Sequence, residues 1–404
     1  MISLIKPQVG KQYGIDGNYV LMSMLTSVCF VGELLGGIAW SFVSDKISRR
    51  LTFVSSALVT SVFAVLGMLA PNYYTFLLCR FGLGVGLGGS MSIDFIYFVE
   101  FAPRSGRLTR TVAIIYLGIL ALVYTALGGY FLLPDRWMWF MGFSALPMIL
   151  LTLIRMCVPW ETPLFLYSKG KYDECKQVLK TMARINGSSF GKEDYVLISE
   201  ISAHPTSQVD GREPIPWRLT FTFAIVFMMQ TLTYYGLTLW LHQIAMHKGI
   251  PRYSAPTNLI AMAVFEVFGV MLTHKLLSKY GNSIKPALLT NFGGALLSMG
   301  LLHLFGKTQV TFMLTSSLAY FFIVGVWTVI YVLGPQLFAV PVRARLFGLC
   351  ASAGKVGGIV GPMLAGGILQ KDSKTATSWN TMLLVICCYL LAMLATLLIK
   401  QKPS

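Results

Sequence analysis

The sequence predicts an all-α membrane protein, and three observations lead to that fold class. Hydrophobic residues make up 55% of the 404 residues and charged residues only 12%, a balance foreign to soluble domains of this length. Eleven apolar stretches follow one another along the chain. Most of them reach the roughly 20 residues that an α-helix needs to cross about 30 Å of hydrocarbon. Because no water is available there to bond the backbone, such spans are helical.

The predicted spans form two groups, five before and six after a charged segment in the middle of the chain. In chain order they cover residues 20–44, 51–70, 75–99, 111–133, 138–158, 219–243, 257–274, 286–306, 310–334, 345–369 and 381–399. The protein is therefore expected to be a multi-pass integral membrane protein, of the plasma membrane or of an intracellular vesicle membrane, in contact with lipid.

The positive charge predicts how the chain is oriented. The net charge is +16, but the bases lie in loops between spans and not on one contiguous face, so we expect no nucleic-acid partner. Lys and Arg are more frequent in the loops on one side, including the C-terminal tail, which predicts that this side is cytoplasmic. It is called the inner side below. Residues 1–19, with Lys6 and Lys11, are then expected on the outer side.

The first loop on the inner side carries a recognisable motif. It reads SDKISRR over residues 44–50, and Gly32, Gly36 and Gly37 precede it. Small residues four apart let two helices approach closely, while Asp45 and its neighbouring bases can form a charge cluster at a helix end. This pattern resembles the loop between helices 2 and 3 of the major facilitator superfamily, with Ser48 in place of the usual glycine.

Further motifs resemble one branch of that superfamily, the sugar-porter-related organic-ion and synaptic-vesicle-protein-like transporters. Arg80 opens a glycine-rich run, and the same span ends in Glu100-Phe101-Ala102-Pro103 with Arg107 after it. The other matching segments are PWETPLFLYSKGKYDE (159–174), TYYGL (233–237) and EVFG (266–269, with Phe268 for the usual proline). In their order these motifs cover essentially the whole chain.

The resemblance implies two pseudo-symmetric six-helix bundles around a substrate cavity that opens to one side at a time. Residues 1–8 look like the end of helix 1, so 11 of 12 spans are present. The implied domains are an N-terminal bundle (1–158), a cytoplasmic segment with short helices (159–218) and a C-terminal bundle (219–404). The residues implied to form a gate on the inner side are Asp45, Lys46, Arg49, Arg50, Glu100, Arg107, Glu161, Arg343 and Arg345.

The most informative charges inside the spans are Lys355 and Glu33. An ionisable group at membrane depth costs about 2.5–3.5 kcal/mol, so each needs a physical reason. The residues around Lys355 resemble helix 11 of organic-ion transporters, in which anion carriers tend to have a base at this position. Lys355 would then attract an organic anion. Alternatively, Lys355 and Glu33 form an ion pair that ties the two bundles together, and the two roles are compatible.

The remaining candidates have weaker arguments. Asp94 either lines the cavity, as a candidate for substrate contact and ion coupling, or is satisfied by a neighbouring hydroxyl group. Glu266 either supports packing against helix 5 or carries a proton. For Arg80 a structural role competes with ion coupling. Gln230, Tyr234 and Tyr235 are candidate contacts for an aromatic or hydrogen-bonding substrate, against the alternative that they pack in the core.

The predicted function is secondary or facilitative transport of a small organic ion, an organic anion in preference to a cation, by alternating access. No nucleophile–base pair, phosphate-binding loop or metal-ligand spacing supports an enzyme, a metal site or a cofactor. The competing interpretation is a non-transporting membrane paralogue that acts as a binding or trafficking partner. It is favoured by the shortened helix 1 and by Gln336 in place of the family's glutamate. The fold usually works as a monomer.

Overall fold

The computed structural model describes residues 2–101, 107–132, 136–187, 216–250, 254–280, 283–338, 340–371 and 374–399, and within these ranges the protein is helical. The helices are α1 (Ile2–Gln12), α2 (Tyr19–Lys46), α3 (Arg49–Met68), α4 (Tyr73–Phe101), α5 (Arg107–Leu132), α6 (Trp137–Met156), α7 (Pro163–Ser168), α8 (Tyr172–Ile185), α9 (Trp217–His247), α10 (Ala255–Lys279), α11 (Ile284–Phe305), α12 (Gln309–Leu333), α13 (Val340–Lys371) and α14 (Lys374–Leu398). A 3-10 turn, Gly334–Leu337, joins α12 to α13.

Each of the eleven predicted spans corresponds to one long helix, from α2 to α6 and from α9 to α14. Nine helices within the described ranges are long and apolar enough to cross a membrane. Many of their large apolar side chains point outward, such as Ile38 at 63% exposure and Leu297 at 67%. Such surface is expected where a protein faces lipid. The fold is that of an all-α, multi-pass membrane protein.

Short polar signals begin several of the helices. The Asn18 side chain accepts a hydrogen bond from the Leu21 N–H at the start of α2, and Ser48 does the same for Leu51 at the start of α3. Thr308 and Thr311 form a reciprocal capping box at the start of α12. These side chains satisfy backbone donors that the first turn of a helix leaves without partners.

The helices pack as two groups. In the first group α4 lies between α2 and α3, while α6 packs on α3 and α5. In the second group α9 packs on α13 and α14, and α12 packs on α10 and α11. The two groups meet where α2 contacts α13 and where α5 contacts α10, an arrangement with pseudo-two-fold symmetry. Any movement of one group against the other must change these contacts.

Helix α1 is packed against the rest of the protein, while the predicted position of residues 1–19 on the outer side stays a prediction. Leu4, Ile5 and Val9 are buried, and α1 contacts both α2 and α9. Lys6 is fully buried whereas Lys11 is exposed. Because it contains two lysines, this segment has a lower hydropathy than the predicted spans. Only tertiary packing buries Lys6.

Candidate functional site between the two helical groups

The contact between α2 and α13 is a regular antiparallel seam. The Ser23 Oγ donates to the Pro362 carbonyl at 2.7 Å, and one turn further along α2 the Ser27 Oγ donates to the Ile359 carbonyl at 2.7 Å. One more turn on, the Phe30 ring lies so close to Gly358 that an added Cβ would come within 2.8 Å of it. We call this the outer seam, formed by Ser23, Ser27, Phe30, Pro362, Ile359 and Gly358.

Glu33 and Lys355 continue the outer seam by one turn toward the inner side. The Lys355 Nζ donates to the Glu33 Oε2 at 3.0 Å, and the side chains are 16% and 8% exposed. The structure thus brings together the two residues that were predicted from sequence to face each other. Because each charge is largely removed from water, removing one partner would leave the other uncompensated, at a cost of about 3–5 kcal/mol.

Beyond this ion pair the corresponding surfaces of the two helices are open. On α2, Ile38 is 63% exposed and Ser41 is also exposed. On α13, Gly348 is exposed and Leu349 is 46% exposed. The two helices are therefore joined from their outer ends to the ion pair and present solvent- or lipid-accessible surface on its inner side.

A cluster of aromatic rings in the second group reaches the ion pair. Tyr235 lies edge-on to Phe30 with ring centroids 4.5 Å apart, and both Tyr235 and Tyr331 are within electrostatic reach of Glu33. Trp327 stacks on Tyr331 at 5.6 Å, and Tyr234 meets Trp327 edge-on at 6.0 Å. Tyr331 is 38% exposed although it lies in the middle of this cluster. These rings, from α9 and α12, present aromatic surface next to the ion pair.

Glu266 and Gln230 lie deeper in the second group. Glu266 is 6% exposed and is within electrostatic reach of Tyr234. Within the described part of the chain no base forms an ion pair with it. Gln230 is fully buried and donates from its amide to the Ile323 carbonyl at 3.2 Å. Gln230 thus links α9 to α12, as the packing alternative expected, and does not lie at an open surface.

Asp94 has a partner that the sequence analysis did not consider. Its carboxylate forms an ion pair with Arg155 of α6, so the neighbour is a guanidinium group and not a hydroxyl group. Arg155 also donates to the Phe53 carbonyl at 3.0 Å and lies 4.2 Å from the centre of the Phe53 ring. Arg80 donates to the Leu25 carbonyl at 3.0 Å. These contacts all lie within the first group of helices.

The gate residues on the inner side are described only in part. Glu161 accepts hydrogen bonds from the Ser48 hydroxyl group and from the Arg50 N–H, the latter at 3.0 Å. The Arg50 side chain donates to the Val158 carbonyl at 2.7 Å. Glu161 therefore places a carboxylate at the N-terminus of α3, where the helix dipole favours it. The side chains of Arg49 and Lys46 lie over the rings of Phe165 and Phe42.

The other predicted gate residues have side chains outside the described part of the structure. They are Asp45, Glu100, Arg107, Arg343 and Arg345. Among the described residues, the acidic side chain at the N-terminus of α3 is therefore that of Glu161, which lies in the segment after α6.

Two groups near helix ends, the buried Cys175 and the half-buried Lys248, have altered acidities. Burial raises the pKa of the Cys175 thiol in α8, where the sulfur also contacts the Pro163 carbonyl at 3.3 Å. Burial and the nearby charge of Lys307 lower the pKa of Lys248, which follows α9. Within the described residues no cluster of His, Cys, Asp and Glu could hold a metal ion.

Comparison with known proteins places this arrangement in a family. The family model described as "Sugar (and other) transporter" matches residues 4–401. The chain belongs to this family of membrane transporters. Its members are transporters of the major facilitator superfamily and not enzymes. The transporter class predicted from the motifs is thereby confirmed, and the activity of this class is the movement of a small solute across a membrane.

Individual relatives are distant but cover most of the chain. The organic cation/carnitine transporter 7 of Arabidopsis thaliana is 25% identical over 425 residues, covering 93% of this chain and 83% of that protein. The niacin transporter NiaP of Acinetobacter baylyi is 25% identical over 353 residues, covering 84% of this chain and 76% of that protein. A putative niacin/nicotinamide transporter of Bacillus subtilis is 24% identical over 95% of this chain.

Solved structures support the fold. The xylose transporter XylE of E. coli, in a partially occluded inward-open conformation, superposes with a TM-score of 0.74 at 16% identity, covering 97% of this chain and 93% of that one. A second XylE structure, titled as inward open, gives a TM-score of 0.72. The predicted major facilitator fold is therefore confirmed, while identities at this level carry no information on the substrate.

Several residues of the site were missed by reasoning from sequence. Ser23, Ser27 and Phe30 recur at helical spacing on one face of α2, which was a usable signal. No sequence pattern points to Trp327 and Tyr331. Aromatic residues are common in apolar helices, and only packing distinguishes those that lie at a site.

Proposed function

We propose that this transporter carries a small organic anion with a flat ring and that Lys355 binds the negative charge. The observation that carries the proposal is the Glu33–Lys355 ion pair, 3.0 Å long, between the two helical groups. A ligand carboxylate can replace the Glu33 carboxylate on Lys355 without leaving the ammonium group unpaired. Binding then exchanges one ion pair for another and avoids most of the penalty of a buried, uncompensated charge.

This exchange couples binding to movement. Glu33 belongs to α2 in one helical group and Lys355 to α13 in the other. When the ligand displaces Glu33, it removes the innermost link of the α2–α13 contact, and the outer seam and the α5–α10 contact remain. A ligand that interacts differently with the two states is what shifts a conformational equilibrium, and the alternating exposure of such a site is the mechanism of the fold.

The aromatic surface supports a ring in the substrate. Tyr234, Tyr235, Trp327 and Tyr331 form a series of ring contacts, and two of these rings, Tyr235 and Tyr331, are within electrostatic reach of Glu33. Aromatic pairs add about 0.5–1.5 kcal/mol beyond their buried area. Two relatives are named for niacin, whose anion combines a flat ring with one carboxylate. Nicotinate is therefore the first probe.

The proposal is tested by uptake into proteoliposomes of two pyridine compounds of similar size and opposite charge, nicotinate and 1-methylnicotinamide. We expect uptake of nicotinate, its loss in Lys355→Ala and partial retention in Lys355→Arg. Glu33→Gln removes the competing carboxylate and should strengthen nicotinate binding by about tenfold, the factor of one charge-assisted contact. Lys275→Ala, at an exposed base of α10, is the matched control. Parental uptake in Lys355→Ala would contradict the proposal.

A second candidate is an organic cation. Glu266 is a buried carboxyl group without a base as ion-pair partner among the described residues, and aromatic faces also attract cations. One relative is named as an organic cation/carnitine transporter. If this candidate holds, 1-methylnicotinamide is taken up in preference to nicotinate, and Glu266→Gln abolishes its uptake.

A further inference from the structure

Lys6 of α1 is a buried base outside the site described above. Its side chain is fully buried. The Nζ donates to the Leu239 carbonyl at 3.1 Å and lies 3.2 Å from the centre of the Trp240 ring. No carboxylate in the described ranges pairs with it. An ammonium group has three donors, so one carbonyl and one ring face compensate its charge only in part.

Both partners of Lys6 belong to the other helical group, on α9. Trp240 also donates from its indole nitrogen to the Pro362 carbonyl at 3.0 Å, the same oxygen that accepts from Ser23 in the outer seam. The Tyr19 ring packs against Trp240 with centroids 4.9 Å apart. Trp240 is therefore part of the contact that closes the outer side, and Lys6 is covered only while that contact is made.

Opening of the outer seam must uncover Lys6. When α9 and α13 move away from α1 and α2, the ammonium group loses the Trp240 face and the Leu239 carbonyl together. A cavity of about 410 Å³ lies beside the next residue along α1, Pro7, and is also lined by Tyr19, His242 and the acid Asp16.

We propose that Lys6 is a second anion-binding group, which receives the substrate carboxylate on the outer side before the carboxylate reaches Lys355. This inference rests on the proposed transport of an organic anion. In the inward-facing arrangement Trp240 masks Lys6 and Glu33 masks Lys355, so neither base holds an anion tightly. Opening to the outside uncovers Lys6. This dependence on the outward-open state distinguishes Lys6 from Lys355.

The test compares nicotinate transport from the two sides of the membrane. Lys6→Gln should raise the KM for uptake from the outer side by about tenfold, the factor of one lost charge-assisted contact. The KM measured from the inner side should change by less than about twofold, since Lys6 is covered in that state. Lys11→Gln, at an exposed lysine of the same helix, should leave both values unchanged.

A chemical rescue separates charge from packing. In Lys6→Cys, 2-aminoethyl methanethiosulfonate attaches a side chain that ends in an ammonium group, whereas methyl methanethiosulfonate attaches a neutral one. We expect the first reagent alone to restore the outer KM, relative to parent protein treated in parallel. Equal rescue by both reagents, or equal changes of KM on both sides, would assign Lys6 to packing and overturn the inference.

The outcomes also separate the two proposals. Loss of nicotinate transport in Lys355→Ala together with parental kinetics in Lys6→Gln refutes only the role of Lys6. A parent protein that transports 1-methylnicotinamide and no carboxylate refutes the anion proposal, and the role of Lys6 with it.

Discussion

Three buried bases in the spans have partners of different kinds. Arg155 has a carboxylate, Lys355 has a carboxylate from the other helical group, and Arg80 has a backbone carbonyl. These partners differ in whether they belong to the same helical group. A partner in the same group stays in contact when the two groups move, whereas a partner in the other group must be exchanged. On this basis we propose a structural role for Asp94 and Arg155 and assign the response to substrate to Glu33 and Lys355.

The Asp94–Arg155 pair gives a stability prediction. Asp94→Asn leaves a guanidinium group, 5% exposed, without its carboxylate, so we expect the apparent Tm in detergent to fall by several degrees. Arg155→Met in the Asp94→Asn background should recover part of the loss, because the uncompensated charge is then gone. The measurement is thermal unfolding of purified protein. An additive double variant, with no recovery, would show that the two residues do not act as a pair.

Close helix contacts depend on glycine at particular positions. A Cβ on Gly84 would collide with the Cys29 carbonyl of α2, and a Cβ on Gly357 would collide with the Met228 carbonyl of α9. The pairs α2–α4 and α9–α13 are the most extensive in their groups. Van der Waals contact between backbones is a main source of helix association in membranes, where lipid is as apolar as the helix surface. These two glycines therefore set how tightly each group packs.

Glycine substitutions test this reading with an internal control. Gly84→Val should abolish or strongly reduce folded protein, because the α2 backbone cannot move away without breaking its other contacts. Gly118→Val, on an exposed face of α5 with nothing within 4 Å of an added Cβ, should be neutral. The measurement is the monodisperse fraction after extraction from membranes. Comparable losses in both variants would mean that added volume is harmful anywhere in a span.

The contact between the two helical groups is closed at one end and open at the other. The outer seam is closed, whereas the described surfaces of α2 and α13 beyond Glu33 and Lys355 are exposed. The predicted orientation in the membrane follows from the distribution of bases and requires its own test.

Cysteine labelling tests that orientation. Cys157, at the inner end of α6, is exposed, whereas Cys175 is buried. A membrane-impermeant maleimide should label Cys157 in inside-out vesicles and not in right-side-out vesicles, with Cys157→Ser as the control. Because burial raises the pKa of Cys175, its thiolate fraction at neutral pH is small, and its labelling should be slower and increase with alkaline pH. Labelling of Cys157 from the outer side would reverse the orientation.

The sequence by itself determined the class of the protein, its helices and its family. Long apolar stretches must become helices in lipid, so each predicted span lies within a few residues of an observed helix, and the motifs identified the superfamily. It also indicated Glu33 and Lys355, because charges at membrane depth are costly and these two lie at similar depth on helices expected to face each other.

The partners of the other buried polar groups could be assigned from the tertiary structure alone. The pairing of Asp94 with Arg155, the aromatic cluster of Trp327 and Tyr331, and the covering of Lys6 by Trp240 join residues far apart in sequence. Hydropathy reports the environment of a segment averaged over a span. Hydropathy carries no information on which face of a helix packs against which neighbour. Lys6 is buried by such packing although it lies in a segment of low hydropathy.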